Sequence, residues 1–527
     1  MRSIRSLIRL APLLLLLVGA AFPGSVNAQV LRERAPGQMK QLINNALEQD
    51  KRVSKLHAYV AKGTVVFDVT LEPNPDEYEW LVLLNLTPAQ FAEAKRRYGL
   101  DGYTVTNSTS LTANGQVFHS AIWLKTVKTV GSLVLPDKPL PESGEVVANM
   151  KSVDDLLRAF VKANNASGVT VAVAKDGKVV YDRAFGWANV KKEVAMSPNT
   201  PMRIAGVSKT LTAVSIMQLI EQDKLALHTL VVPLLKKAKF RGSTRIKDQN
   251  WNKITVGHLL RHTAGFTPAP VFQTSMVALD LRLTKPATRK DIIRYHFRKK
   301  LGTEPGQKYV YSDFGYSLLG RVLETVTDRL YGPYVQEHIL DPAKMEHTKI
   351  GRTLVASRAR NEAWYHMQKE EIGAAFWSAS VSKVGRGGKG VDAPDIVRKP
   401  DGGWNLESMD SHNGWISTPG DLVKFVSAME SKTNPLLKPE TRTAMLESAK
   451  PPKGTYYACG WFVRPESNGN RIWHGGALEG TSSLLVRRSD GIAWAVLFNT
   501  DISNSGDKRL AGLLEPFLDQ ALSAIKW

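Results

Sequence analysis

The sequence contains a single cysteine among 527 residues, Cys459, so no disulfide can form within the chain. The residues around it, Tyr457-Ala458-Cys459-Gly460-Trp461-Phe462, predict a buried strand. A thiol in such a setting packs as a small apolar side chain and is chemically inert. The cysteine content therefore excludes a scaffold stapled by disulfides.

Long apolar runs are scarce, and the one near the N-terminus is too short to span a membrane. Three arginines within the first nine residues precede an apolar core, residues 10–22, and Val26-Asn27-Ala28 then offers a small-residue cleavage site. This pattern predicts a signal peptide at residues 1–28 and a secreted or periplasmic protein that does not span the membrane. With one cysteine, a bacterial periplasm or culture medium is favoured over a disulfide-rich animal secretion.

Acidic residues are few relative to basic ones, 49 against 70, which gives a formal net charge of +21. Removal of the signal arginines leaves about +18, and such a charge favours anionic surface polymers or membrane headgroups as partners. Export and the lack of a recognition motif argue against nucleic acid. The alternative is that the charge only aids solubility.

Metal-ligand patterns are also missing. His258 and His262 are four residues apart and can share a helix face, but the glutamate of a zinc-protease motif and a third ligand are absent. We therefore predict neither a metal nor a cofactor.

A glycine occupies a position where its surroundings indicate a nucleophilic serine. Gly206 lies in Arg203-Ile204-Ala205-Gly206-Val207-Ser208-Lys209, at the start of an apolar pattern of helical period. Residues three apart on a helix share one side, so positions 206 and 209 face one pocket. A serine at 206 would complete a Ser-x-x-Lys acyl-transfer pair with Lys209. The literal pattern also begins at Ser380, Ser505 and Ser523, but without this context.

Further motifs follow in order. Tyr311-Ser312-Asp313 and His474-Gly475-Gly476-Ala477 join the segments Leu259–Phe266 and Trp415–Leu422. With the segment at 206, this set resembles the serine β-lactamase-like superfamily of class C β-lactamases, D-alanyl-D-alanine carboxypeptidases, esterases and D-aminopeptidases. The resemblance covers roughly residues 150–527. It implies an α+β, β-lactamase/transpeptidase-like fold, with an antiparallel sheet flanked by helices and a helical subdomain.

The resemblance also implies roles for individual residues. Lys209 matches the lysine that helps to deprotonate the nucleophile, and Tyr311 matches its partner general base in the Tyr-x-Asn element. Asp313 stands where that element has asparagine, which puts recognition of a substrate amide in doubt.

The remaining roles concern binding of the reacting group. His474-Gly475-Gly476 matches the His-x-Gly form of the Lys-Thr-Gly strand, and the N–H groups of Gly206 and Ala477 would form the oxyanion hole. Gly206 itself replaces the nucleophile.

Because the nucleophile is missing, we expect the protein to be a weakly active or inactive hydrolase that binds a peptide or cell-wall-like ligand. The alternative is an active serine hydrolase that uses a displaced serine or an activated water. Ser208 lies about 200 degrees around a helix from position 206, which turns it away from the pocket.

The region before the hydrolase-like part predicts a separate module. Residues 29–125 contain two copies of a helix-hairpin pattern about fifty residues apart, similar to repeats fused to some members of the superfamily, including polyglycine hydrolases. Such a module binds or positions a ligand, or serves as a scaffold. Proline-containing residues 126–150 predict a linker to the hydrolase domain at 151–527.

Overall fold

The computed structural model describes residues 29–49, 51–74, 79–100, 103–113, 115–125, 129–237, 246–267, 277, 281, 286–376, 396–433, 435–448, 454–506 and 508–527. The predicted signal peptide lies outside these residues. The chain divides into two units. The smaller contains the described residues of Met1–Thr129, Ala278–Pro286 and Glu371–Arg398; the larger contains those of Val130–Val277, Ala287–Glu370 and Lys399–Trp527.

The smaller unit contains two three-stranded sheets with the same plan. Each starts with a strand, continues into a helix and ends in a hairpin. The first set is Gln29–Arg34, Pro36–Glu48, Lys51–Ala61 and Thr64–Pro73; the second is Glu79–Leu86, Pro88–Leu100, Tyr103–Ala113 and Gln116–Lys125. In both sheets the last strand of the hairpin is central and pairs with the leading strand. The helices and hairpins were predicted from the sequence, whereas the two leading strands were not.

Alternating side chains on the strand Glu79–Leu86 enter two different cores of this unit. Trp80 and Val82 pack with the first helix and first sheet, whereas Leu81 and Leu83 pack in a second cluster with Trp123. Successive side chains of a strand point to opposite faces, so this strand is buried on both sides. Also in this unit, residues 372–374 pair with residues 396–398.

The larger unit is built on an antiparallel sheet whose nine strands lie within the described residues. In spatial order the strands are Val194–Ala195, Lys178–Asn189, Gly168–Lys175, Ile492–Phe498, Thr481–Arg487, Gly469–Leu478, Phe462–Glu466 and Tyr456–Tyr457, with Glu142–Ser143 pairing to the second of them. An Asp-Gly pair between two apolar runs of sequence predicts a hairpin. One is present at Asp176-Gly177, and both residues have positive φ, 50° and 82°, as a tight two-residue turn requires.

The segment predicted as a linker contains short elements. These are the strands Thr129–Ser132 and Glu142–Ser143 and the 3₁₀ turn Ala148–Met150. Because Glu142–Ser143 pairs with the main sheet, this part of the segment belongs to the larger unit.

Helices cover the sheet of the larger unit. Lys151–Ala163 and Leu510–Ser523 pack on a core that includes Phe185, Trp494 and Phe498, and Pro419–Met429 contacts the strands Gly168–Lys175 and Ile492–Phe498. The other described helices are Ser208–Glu221, Val231–Lys237, Val256–Leu260, Arg289–Phe297, Asp313–Thr327, Tyr331–Val335, the π-helical turn Gln336–Leu340 and Pro439–Leu446.

The larger unit also contains several short elements. They are the strands Met202–Arg203, Lys349–Ile350 and Trp415–Ser417, with the 3₁₀ turns Ala205–Val207, Gln249–Lys253, Val355–Ser357, Lys399–Asp401 and Leu406–Met409. Met202–Arg203 pairs with Trp415–Ser417. In the part of the chain that the structure describes, no helix has the length and apolarity needed to cross a membrane.

Candidate active site

Position 206 lies at the meeting point of the sheet and the helical region. Gly206 is in the 3₁₀ turn Ala205–Val207, which packs on the strand Gly469–Leu478. The α-helix begins only at Ser208, two residues later than the sequence pattern indicated. A Cβ built on Gly206 would lie 2.6 Å from Gly475 O, 3.2 Å from His474 Cε1 and 3.2 Å from the Tyr311 hydroxyl. A side chain at this position would therefore point directly at the predicted site residues.

Lys209 lies beneath this position and is completely buried, with 0% exposure. Its Nζ is 2.6 Å from Asp313 Oδ1 and 3.2 Å from both His412 O and Asn413 Oδ1. Burial alone would lower the pKa of this ammonium, but the Asp313 carboxylate and, to a smaller extent, the Tyr311 hydroxyl outweigh burial, and the pKa is raised. Lys209 is thus a cation at neutral pH.

Asp313 is the first residue of the helix Asp313–Thr327, whose N-cap is Ser312. Its Oδ2 accepts a hydrogen bond from Asn413 Nδ2 at 3.0 Å, and its side chain is 33% exposed. Burial would raise the pKa of the carboxyl, but Lys209 and the hydrogen bonds hold it well below the usual range. Asp313 is therefore an anion paired with the lysine, a role that the sequence did not predict.

Tyr311 lies over the lysine at the mouth of the site. Lys209 Nζ is 4.8 Å from the centre of its ring, and 40% of the tyrosine side chain is exposed. Burial around the hydroxyl raises its pKa, although Lys209 acts in the opposite direction. Tyr311 is therefore a neutral phenol, whereas the general-base role implied by the resemblance needs a phenolate.

His474 comes from the strand Gly469–Leu478 and is buried. Its Nδ1 donates to Gly475 O at 2.7 Å, since a carbonyl can only accept, and its Nε2 accepts from the Tyr457 hydroxyl at 3.1 Å. Burial and the Lys209 charge lower the pKa of the imidazole to about 3. His474 is thus a neutral group with both ring nitrogens bonded.

The glycines of the same strand let the 206 turn approach the sheet. A Cβ on Gly476 would clash with Ile204 O and the Ser483 hydroxyl and would lie 2.9 Å from Gly206 N. Gly475 presents its carbonyl oxygen to position 206. Ala477, which follows Gly476, has an exposed side chain and pairs with Ser482. The two predicted oxyanion donors, Gly206 and Ala477, therefore belong to segments that lie side by side.

Ser208 is turned away from the site, as expected from its position on the helix. It is fully buried, and its Oγ accepts a hydrogen bond from Trp415 N at 3.3 Å. Its hydroxyl therefore helps to hold the strand Trp415–Ser417.

The two histidines considered as ligands have structural contacts. The His258 side chain completes a capping box with Thr255. His262 Nδ1 accepts from Ser312 N at 3.1 Å, and its ring packs 4.4 Å from the ring of Tyr311. Within the described residues, no set of three or more His, Cys, Asp or Glu side chains is placed to hold a metal ion.

Comparison with known proteins identifies the family. A family model described as Beta-lactamase matches residues 153–516. This chain belongs to the β-lactamase family. The predicted superfamily and the β-lactamase/transpeptidase-like fold are confirmed.

Curated relatives in the β-lactamase family are 24% identical to the chain over the aligned residues. Protein flp of Staphylococcus aureus (strain MW2) is 24% identical over 344 residues, which cover 64% of this chain and 60% of Protein flp. The human mitochondrial serine beta-lactamase-like protein LACTB is 24% identical over 437 residues, covering 67% and 74%. The chain thus spans less than two thirds of the length of Protein flp.

Solved structures of the β-lactamase fold are also similar. D-amino acid amidase from Ochrobactrum anthropi SV3, complexed with L-phenylalanine, gives a TM-score of 0.54 at 22% identity and covers 71% of this chain and 98% of the amidase. The octameric penicillin-binding protein homologue from Pyrococcus abyssi gives 0.52 at 22%, covering 70% and 77%. Likeness at this identity establishes the fold alone.

Proposed function

We propose that this chain is an exported serine-hydrolase-fold protein that binds a peptide or cell-wall-like ligand without efficient acyl transfer. The observation that carries the proposal is the geometry at Gly206. A Cβ there would face the Tyr311 hydroxyl and His474 at 3.2 Å, yet glycine has no atom that can attack. Loss of the nucleophile of a serine hydrolase lowers turnover by about a millionfold.

The packing around Gly206 supports the same conclusion. The 2.6 Å separation between a built Cβ and Gly475 O is shorter than any side chain normally tolerates. Since Gly475 O is a backbone atom of a paired strand, it cannot move aside as a flexible side chain would. The site is therefore fitted to glycine at this position.

The alternative function is turnover by a displaced serine or an activated water. Ser208 is the serine nearest to position 206 in the sequence, and its hydroxyl is buried and bonded to Trp415 N. It cannot reach the face of the turn that points to Tyr311. The geometry therefore argues against Ser208 as a displaced nucleophile.

Two exposed aromatic rings support a peptide-like ligand. Tyr309 and Tyr311 are 45% and 40% exposed, and Tyr457 packs behind both. Aromatic faces with a polar tip contact amide groups and apolar side chains well. Because the site motifs resemble those of D-alanyl-D-alanine carboxypeptidases, a peptide that ends in D-alanine is the first ligand to test.

Two measurements on the unaltered protein test the proposal together. Incubation with a fluorophosphonate probe and with a fluorescent penicillin should leave no covalent label by intact-mass spectrometry. A peptide that ends in two D-alanine residues should bind reversibly by calorimetry and be recovered intact. Covalent labelling or release of D-alanine would show that the chain is an enzyme and would refute the proposal.

A pair of tyrosine variants tests whether the peptide binds at the candidate site. Tyr309→Ala removes an exposed ring at the mouth, whereas Tyr456→Ala removes a partly exposed tyrosine of the outermost strand Tyr456–Tyr457. We expect only the first substitution to weaken binding of the peptide. Equal affinities of both variants and the parent would place the ligand elsewhere.

We also propose export, on the basis of the predicted signal peptide at residues 1–28. N-terminal sequencing of protein recovered from the periplasm or medium of an expressing bacterium should start at Gln29. Retention of the full chain in the cytoplasm would contradict the proposal.

A further inference from the structure

We infer that Asp313 is a positioning residue that fixes Lys209 as a cation, so that the site lacks a general base as well as a nucleophile. The inference rests on the proposed function and deepens it. It explains why a serine at position 206 alone would not restore acyl transfer.

The groups around Lys209 Nζ favour its protonated form, which has no lone pair to act as a base. An ammonium has three N–H donors and no acceptor. Here three acceptors surround Nζ: Asp313 Oδ1 at 2.6 Å, His412 O at 3.2 Å and Asn413 Oδ1 at 3.2 Å. Nζ donates hydrogen bonds to His412 O and Asn413 Oδ1, and it forms an ion pair with the Asp313 carboxylate.

The carboxylate is held in place from its other side. Asn413 donates from Nδ2 to Asp313 Oδ2 at 3.0 Å while its Oδ1 accepts from Lys209. The three side chains are therefore joined by one ion pair and two hydrogen bonds. Asp313 also starts the helix Asp313–Thr327, where the helix dipole favours a negative charge.

The other groups around position 206 cannot take the proton instead. Tyr311 is a neutral phenol, and both nitrogens of His474 are already bonded, to Gly475 O and to the Tyr457 hydroxyl. Attack by a serine hydroxyl requires a base at the moment of bond formation. With Lys209 fully protonated, such a serine would have no partner.

Replacement of Asp313 by asparagine should release the base. The amide keeps the size and an acceptor oxygen but removes the negative charge. Without that charge, burial of Lys209 would lower its pKa and make the neutral amine accessible near neutral pH. In the reaction with a fluorophosphonate, the serine Oγ–P bond would form, the P–F bond would break, fluoride would leave and the hydroxyl proton would pass to Nζ.

The test compares labelling rates of four proteins at pH 7: the parent, Gly206→Ser, Gly206→Ser with Asp313→Asn, and Gly206→Ser with Asp155→Asn. Asp155 is a matched control, because it is an exposed carboxylate paired with Lys151 and Arg158 on a helix away from the site. We expect the Asp313 double variant to label on the order of 10²–10³-fold faster than Gly206→Ser, and the Asp155 control to match Gly206→Ser. The labelling rate of the Asp313 double variant should also reach its plateau at a lower pH than the rate of Gly206→Ser.

Two outcomes overturn the inference. In one, Gly206→Ser labels no faster after the Asp313 change; in the other, neither variant reacts although both are folded by circular dichroism. Labelling of the parent would instead refute the proposed function, so the two failures are distinguishable.

A second measurement avoids the crowded position 206. Urea unfolding is measured for Asp313→Asn, with Gly206 unchanged. Between about pH 7 and pH 10 the free energy of unfolding of this variant should rise relative to that of the parent. The reason is that Lys209 would then be neutral in the folded state but charged in the unfolded state. Asp155→Asn should run parallel to the parent. A parallel profile for Asp313→Asn would show that the carboxylate does not set the charge of Lys209.

Discussion

Substitution of Gly206 by alanine tests how tightly the site is fitted to glycine. The added Cβ would lie 2.6 Å from Gly475 O and 3.2 Å from the Tyr311 hydroxyl and His474 Cε1. Overpacking of this kind costs about 1–3 kcal/mol. Alanine recovers about 0.5–1 kcal/mol relative to glycine in a helical conformation. We therefore expect a net loss of about 1 kcal/mol, and at most about 2.5 kcal/mol, in the free energy of unfolding.

Urea unfolding at pH 7, followed by tryptophan fluorescence, measures this loss as a lower midpoint at an unchanged slope. The matched control is Gly512→Ala in the helix Leu510–Ser523, where a Cβ meets nothing within 4 Å. That variant should be more stable than the parent by about 0.5–1 kcal/mol. If Gly206→Ala were as stable as the parent, the strand Gly469–Leu478 would be able to shift and accommodate a Cβ. The conclusion that the site is fitted to glycine would then be wrong.

Three further predictions concern titration, reactivity and charge. His412 and His474 are buried with pKa values of about 3, so stability should fall as pH drops from about 6.5 toward 3, by up to about 1.4 kcal/mol per pH unit for each. Asp182, with a pKa raised to about 6 by burial, offsets part of this loss of stability. The measurement is the urea midpoint at pH 7, 6 and 5, which would not change with pH if the histidines were charged in the folded protein. Cys459 is buried with a pKa of about 11, so it should resist a chromogenic disulfide reagent at pH 8 until urea is added; rapid native reaction contradicts the packing. The net charge of +21 should retain the chain on a polyanion resin at low salt and release it at high salt; salt-independent retention contradicts an electrostatic origin.

The sequence predicted the sheet of the larger unit where local signals are strong. The Asp176-Gly177 turn between two apolar strands is an example, because positive φ at both turn residues demands this kind of sequence. The leading strands of the smaller unit were missed for a physical reason. Gln29–Arg34 is mostly polar, and Glu79–Leu86 is buried on both faces, so neither alternates clearly.

In the candidate site, too, some features could be predicted from the sequence and others could not. Motif order was enough to predict that Lys209, Tyr311 and His474 surround position 206. The charge on the lysine was not predictable, because it is set by a 2.6 Å contact with Asp313 and by Asn413. These residues lie 100 or more positions away in the sequence, and no local pattern reports such a contact.

The pairing of the strands Gly168–Lys175 and Ile492–Phe498 has a consequence for the order of folding. Val171 lies opposite Val496, so the middle of the sheet joins residues that are 325 positions apart. At the usual rate of about 5–20 residues per second, synthesis of the intervening chain takes on the order of 16–65 s. The first of these strands can pair at once with Lys178–Asn189, which follows it directly, but its other edge stays unpaired for most of translation.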